Sequence, residues 1–282
     1  MLENASQHPP IYLSANQIPE VKQPMVVMKL GGAVVASEEL LRGIVQTIAP
    51  EIELRELENS GALAAYNGRR LVAFVHPKTG ESSVFPTLEA LKPGERLGER
   101  ARAISARIAN DASLFPEDGT QVTALPPVTL MGSRHIRGDK QIESAEYLAF
   151  VRLERQVNGF PVFGPGTKAM IAIAADDSIQ AFTHRWRQAI PTEEKIVPHS
   201  RERIVRSILT QLAPSAKSAN VTVDKVTVGY YDTGENFLQP VYRFQATIAS
   251  TNHELRAANR RVVGYVSIGE PPEPLPVLDA SQ

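Results

Sequence analysis

The chain has 282 residues, 43% of them hydrophobic and 22% charged, with a net charge of −1. That balance offers no field for nucleic acid or an acidic membrane surface, and no apolar run reaches the roughly 18 residues of a membrane-spanning helix. Cysteine is absent, which excludes disulfides, thiolate catalysis and thiolate metal sites together.

Residues 1–24 are polar and proline-bearing, without sustained periodicity, and read as a tail or surface arm. They contain no basic stretch followed by an apolar one, so no signal peptide is expected; either the protein is cytoplasmic or a leader was removed. Residues 25–30 form a candidate strand. Ser37 is placed to cap a helix, with Glu38 and Glu39 in the first turn and Leu40, Leu41, Ile44, Val45 and Ile48 as its apolar stripe, ended by Pro50. Residues 62–66 and 71–75 flank Asn67-Gly68 as a hairpin, and a third strand over 82–85 follows the turn at Lys78-Thr79-Gly80.

Pro93-Gly94 opens a second helix whose Leu97, Ala101, Ile104 and Ile108 share one face. Residues 111–146 are polar and irregular, and only 128–131 reads as a strand there. From Tyr147 to Trp186 the chain reads as an antiparallel meander. Ala149, Val151 and Leu153 alternate with Arg152 and Glu154, the period of a half-buried strand. Asn158-Gly159 supplies the two positive-φ residues of a tight turn. Residues 160–163 return, Gly164-Pro165-Gly166 breaks, 169–174 resumes, Asp176-Asp177-Ser178 turns and 179–186 closes. Arg152 and Arg155 are expected as solvated edge charges. Residues 191–198 read as a connector. Ser200 caps a third helix with Ile204, Val205, Ile208, Leu209 and Leu212 on its apolar face. Strands over 221–231, 237–248 and 261–268 follow, then a proline-rich tail.

Helix followed by antiparallel strands therefore occurs three times, over 37–85, 94–186 and 200–268. The expected fold class is α+β, built from repeated helix-on-antiparallel-sheet units. The expected segments are a tail (1–24), a small helix-plus-hairpin unit (25–92), a helix plus meander (93–190) and a second helix-plus-sheet unit with the tail (191–282).

Three strings carry a family resemblance. RQVNGFPVFGPGTKAMIAIAADDSIQAFTHRW, with Asn158, Gly159, Pro161, Val162 and Gly164, resembles the hairpin of secreted-metalloprotease propeptides. SRERIVRSILTQL resembles the helix that opens the following unit. GYYDTGENFLQPVYRFQATI, with Leu238, Pro240, Val241, Tyr242 and Phe244, resembles its strand pair. The family is the fungalysin/thermolysin-type propeptide together with the PepSY-like domains, and the resemblance covers roughly residues 94–250. It implies a cystatin-like helix-on-sheet fold, an exported location, and a role in binding, inhibiting or chaperoning a protein partner such as a protease. It implies no catalytic residues and no cofactor, and the chain carries no His-Glu-x-x-His.

MKLGGAVVAS, residues 28–37, is similar to the Lys-x-Gly-Gly strand-loop of amino-acid kinases, where glycine amides approach a phosphate. The alternating parallel strands and helices of such kinases do not follow, so a turn after an ordinary strand is the reading. GPGTK, residues 164–168, lacks P-loop spacing, loses an amide to Pro165 and leads into a strand. None of His8, His76, His135, His184, His199 and His253 is spaced three or four residues from another, so no local metal pair is expected. His184 shares a strand face with Phe182 and Trp186 and reads as structural. No Gly-x-Ser-x-Gly is present, and the carboxylate pairs lie in turns.

The aromatic residues concentrate in the two meanders. Tyr230 and Tyr231 are adjacent on a strand and so point to opposite faces, which leaves one of them for solvent or a partner. Phe163, Trp186, Tyr230 and Tyr231 are the candidate binding residues; no catalytic and no metal-ligating residue is named. The expected function is a non-catalytic protein-binding module acting through an open sheet face or strand edge. The alternative is an enzyme or small-molecule binder with an aromatic-lined pocket on the concave face of a cystatin-like sheet, and a third possibility is a self-assembling structural protein. A flat exposed apolar face favours the first, a deep pocket with convergent polar groups the second, and a large self-complementary interface the third.

Overall fold

The structure is a computed structural model that describes residues 11–31, 55–56, 62–67, 69–76, 81–85, 92–110, 115, 118–135, 142–250, 259–276 and 278. In chain order the strands are β1 (Ile11–Tyr12), β2 (Met25–Leu30), β3 (Arg55–Glu56), β4 (Leu63–Asn67), β5 (Arg70–His76), β6 (Glu81–Val84), β7 (Gln121–Ala124), β8 (Val128–His135), β9 (Ile142–Val157), β10 (Phe160–Phe163), β11 (Lys168–Ala174), β12 (Ile179–Arg185), β13 (Ala189–Ile196), β14 (Ala219–Asp232), β15 (Phe237–Ser250) and β16 (Arg260–Ser267). The helices are α1 (Leu97–Ala109) and α2 (Arg201–Leu212). The chain divides into two compact units. One, the split unit, takes residues 1–29, 191–233 and 237–282; the other, the central unit, takes 30–190 and 234–236.

In the split unit the strand order is β13-β2-β15-β14, with β16 on β15 and β1 parallel to β14. Helix α2 starts where the sequence places it. Ser200 Oγ accepts from the Arg203 N–H at 3.3 Å, a side-chain cap for an otherwise orphaned donor. Ile204, Ile208 and Leu212, four residues apart, are the buried stripe, and the helix lies against β16.

In the central unit the order is β10-β9-β11-β12-β6-β5-β4-β3, with β7 and β8 also paired to β9. β9 is the hub, 16 residues long, with β7 and β8 following one another along it. Asn158 (φ 52°) and Gly159 (φ 77°) form the positive-φ turn that returns the chain into β10. Helix α1 packs on β9, β7 and β11. Its N-terminus is held at long range: the Leu97 N–H donates to Glu146 Oε2 of β9 at 2.6 Å. Arg100 donates to Asp177 Oδ1 at 2.8 Å and to the Ala175 carbonyl, tying the first turn to the β11–β12 turn.

Among the described residues strand far outweighs helix, and α1 and α2 are the two α-helices there. This overturns the expected α+β fold of repeated cystatin-like helix-on-sheet units; the protein is mostly β. The discrepancy lies in strands that the sequence hides. The stretch 111–146, expected as irregular apart from a strand over 128–131, holds β7, a longer β8 and the start of β9, and the 191–198 connector is mostly β13. Among the described residues β8 and β13 are edge strands that bury little on either face, so no apolar row marks them. The helix expected at 37–50, Gly68, the turn at 78–80, and Gly32 to Ser37 of the glycine-rich motif lie outside the described residues.

Candidate functional site

The two faces of the central sheet differ in kind. On the helix side, β9 sends Ala149, Val151, Leu153, Arg155 and Val157 inward, every second residue. The first three join Ile171, Ile173, Phe182 and Trp186 beneath Leu97 and Ala101 of α1. Arg155 is 1% exposed, which corrects its expected role as a solvated edge charge; of the two arginines only Arg152 is exposed. The buried charge is compensated on several sides. Arg155 Nη2 donates to Asp118 Oδ2 at 2.6 Å and Nη1 to the Arg187 carbonyl at 2.9 Å. Its guanidinium carbon stands 4.8 Å from the Trp186 ring centroid. Asp118 also accepts from the Ala189 N–H at 2.8 Å and the Thr120 N–H at 3.1 Å.

His184 fills the same layer as a flat ring. It stacks between Phe182 and Trp186, centroids 6.0 and 5.8 Å away, with Phe115 tilted against it at 5.4 Å. Neither ring nitrogen has a hydrogen-bond partner. Burial, and secondarily the Arg155 charge, pushes its pKa down to about 3. The ring is therefore neutral packing material, and the arrangement offers no acid–base pair.

The opposite face is built from the alternate residues. Register places Phe150 between Val128 and Ala172, Leu148 between Leu130 and Ala174, and Arg152 beside Met170. Val128 is 69% exposed, Leu130 47% and Met170 39%, while Leu148 and Phe150 are half-buried. A Cβ on Gly132 would lie 2.5 Å from a ring carbon of Tyr147, so that ring lies across Gly132 and extends the strip. Beside the strip runs an edge. Among the described residues β8 pairs with β9 alone, and positions 128–132 carry no charge.

The four residues singled out from the sequence lie elsewhere. Phe163 is 8%, Trp186 2%, Tyr230 1% and Tyr231 6% exposed, so none presents its ring to solvent. Phe163 and Trp186 belong to the central unit, Tyr230 and Tyr231 to the split unit. Residues 228–232 of β14 are all buried; both strand faces are covered there, and opposite orientation does not free either tyrosine. Tyr231 packs on Tyr265 with centroids 4.3 Å apart. Burial, then the neighbouring Tyr265 and Asp232, raises its pKa. Sequence reasoning missed Val128, Leu130, Leu148, Phe150 and Met170. The signal available was the short apolar run 128–131 just after Pro126-Pro127.

The split unit carries a groove of about 670 Å³ between residues 18–24 and 197–202, floored by Tyr242. The Tyr242 hydroxyl donates to the Pro19 carbonyl at 3.1 Å, and burial raises its pKa. Tyr242 is the one aromatic side chain of its lining. Among the described residues no cluster of His, Asp or Glu is arranged to hold a metal ion, and no helix is long and apolar enough to cross a membrane.

No protein-family profile matches the chain, and no curated protein matches it. Among solved structures it is similar to an uncharacterized protein from Eubacterium rectale ATCC 33656, determined at 1.45 Å resolution, with a TM-score of 0.50 and 11% sequence identity over 94% of this chain and 89% of that one. At that identity the likeness concerns the fold alone.

Proposed function

We propose that the protein is a non-catalytic binding module that engages a protein partner through the outer face of the central sheet and the adjoining β8 edge. The observation that carries this reading is the strip of Val128, Leu130 and Met170, 39–69% exposed, set beside Leu148 and Phe150 on a regular sheet. Contiguous exposed apolar surface on a rigid element marks an interaction site. An edge strand adds backbone donors and acceptors that take up an extended segment. The partner-binding role implied by the propeptide-like strings accords with this, although Phe163, Trp186, Tyr230 and Tyr231 are set aside as its anchors because they are buried.

The test is a photo-cross-linking residue at Leu130, introduced into the protein expressed in its own organism. The expected outcome is a discrete adduct that disappears when Val128→Lys is added. Absence of any adduct, or the same adducts from a control position at Leu71 of β5, would overturn the reading. The groove under Tyr242 supports a second reading, a small-ligand site, since its volume falls within the usual range of about 300–1,000 Å³. Saturable binding of a small molecule that is lost on His199→Ala, with the Leu130 adducts absent, would replace the first reading by the second.

A further inference from the structure

The chain treats two of its sheet edges differently. Among the described residues β13 ends the strand order of the split unit, and it is guarded by Pro191, Glu193, Glu194 and Lys195, all four of them exposed. Proline and charge are the usual devices against edge-to-edge pairing. β8 has neither over residues 128–132, which read Val-Thr-Leu-Met-Gly. Pro126-Pro127 stands at one end and Arg134 of β8 beyond the other.

We infer that β8 pairs with β8 of a second copy of this chain, in antiparallel register about a two-fold axis through Leu130. This rests on the proposal that the outer face is the binding surface, and it names the occupant. In that register Leu130 meets Leu130 of the second copy, Thr129 meets Met131, and Val128 meets Gly132. Residues directly opposite in an antiparallel pair share a face, so Val128, Leu130, Leu148 and Phe150 of both copies form one continuous strip. Val128 of the second copy comes to rest beside the Tyr147 ring that lies across Gly132. No charge lies within the overlap, so no like charges oppose. Pro126-Pro127 of each copy flanks one end of the paired block and lacks the amides to extend it, which holds the register to five residues. The contact is isologous and uses up the β8 edge of both copies, so it closes as a dimer and does not propagate as a fibre.

The absence of cysteine makes the test direct. Opposed residues in an antiparallel pair have Cα atoms about 4.5–5.5 Å apart, within the disulfide range of roughly 4.4–6.8 Å. Leu130→Cys is expected to convert under mild oxidation to a disulfide-linked dimer, whereas Val263→Cys, at a 38% exposed site on β16, stays monomeric. Unmodified protein is expected to sediment as a dimer and Val128→Lys as a folded monomer with an unchanged far-ultraviolet circular dichroism spectrum. A wild-type monomer at the highest attainable concentration, with Leu130→Cys linking no faster than Val263→Cys, would falsify the self-pairing. If the Leu130 photo-adduct to a different protein then persists, the binding-face reading survives without it; if that adduct is also missing, both fall.

Discussion

The two faces of the central sheet share a backbone and almost nothing else. On the helix side an arginine, an aspartate and a histidine are locked among aromatic rings, each placed by the period-2 row of a strand or by a loop folded over it. On the outer side Val128, Leu130 and Met170 stand open to solvent, with Arg152 paired beside Met170. A buried ionic group is costly and is tolerated only when fully compensated. An exposed apolar group costs little in the isolated chain. The helix-side face therefore carries the integrity of the fold, and the outer face is the one proposed above for binding.

The strongest way to break that contrast is Arg155→Ala. It leaves Asp118 charged and buried, and the expected loss is about 3–5 kcal/mol, read as a lower denaturant midpoint. A loss under about 1 kcal/mol would mean that the pair is solvated and the inner face is not special. Acid comes next. His184 holds a pKa of about 3 in the folded chain against an ordinary 6.5. The unfolded chain therefore takes up a proton that the folded chain excludes, and stability falls as pH drops from about 6.5 towards 3. Above pH 6.5 the term is absent. The slope is about 1.4 kcal/mol per pH unit, superimposed on the carboxylates. His184→Phe, which suits the aromatic stack, should flatten the stability–pH profile by that amount between pH 6 and 4; equal slopes would remove His184 as the cause. The smallest effect belongs to the outer face. Val128→Lys should change stability by no more than about 0.5 kcal/mol in thermal melts. A drop comparable to that of Arg155→Ala would show that the outer face is core after all.

Much of the local structure was legible. The row Ala149, Val151 and Leu153 gave β9, Asn158-Gly159 gave its turn, and Ser200 with Ile204, Ile208 and Leu212 gave α2. The same row extends to Arg155, whose inward position follows from parity although its charge favours solvent. Other features depend on contacts distant in sequence. Asp118 lies 37 residues before its arginine, and Glu146 caps a helix that starts 49 residues earlier. No local pattern announces either. The outer strip was illegible for a different reason. Val128 and Leu130 are apolar, and from sequence an apolar residue on a strand is assigned to the core. Their exposure follows only from the register of β8 on β9 and from the absence of a covering element among the described residues.

The reach of β9 also bears on synthesis. β7, β8 and α1 all precede it in the chain, yet each is completed by it: two by pairing, the helix by the Glu146 carboxylate. As the segment from the end of β8 to the end of β9 emerges from the ribosome, at ~5–20 residues per second, the nascent chain spends roughly one to four seconds with Val128, Leu130 and Met131 on a strand whose partner has not yet appeared. The apolar run of β8 thus needs an escort before β9 arrives, and slower translation while β9 is emerging would lengthen that interval and raise the yield of aggregates.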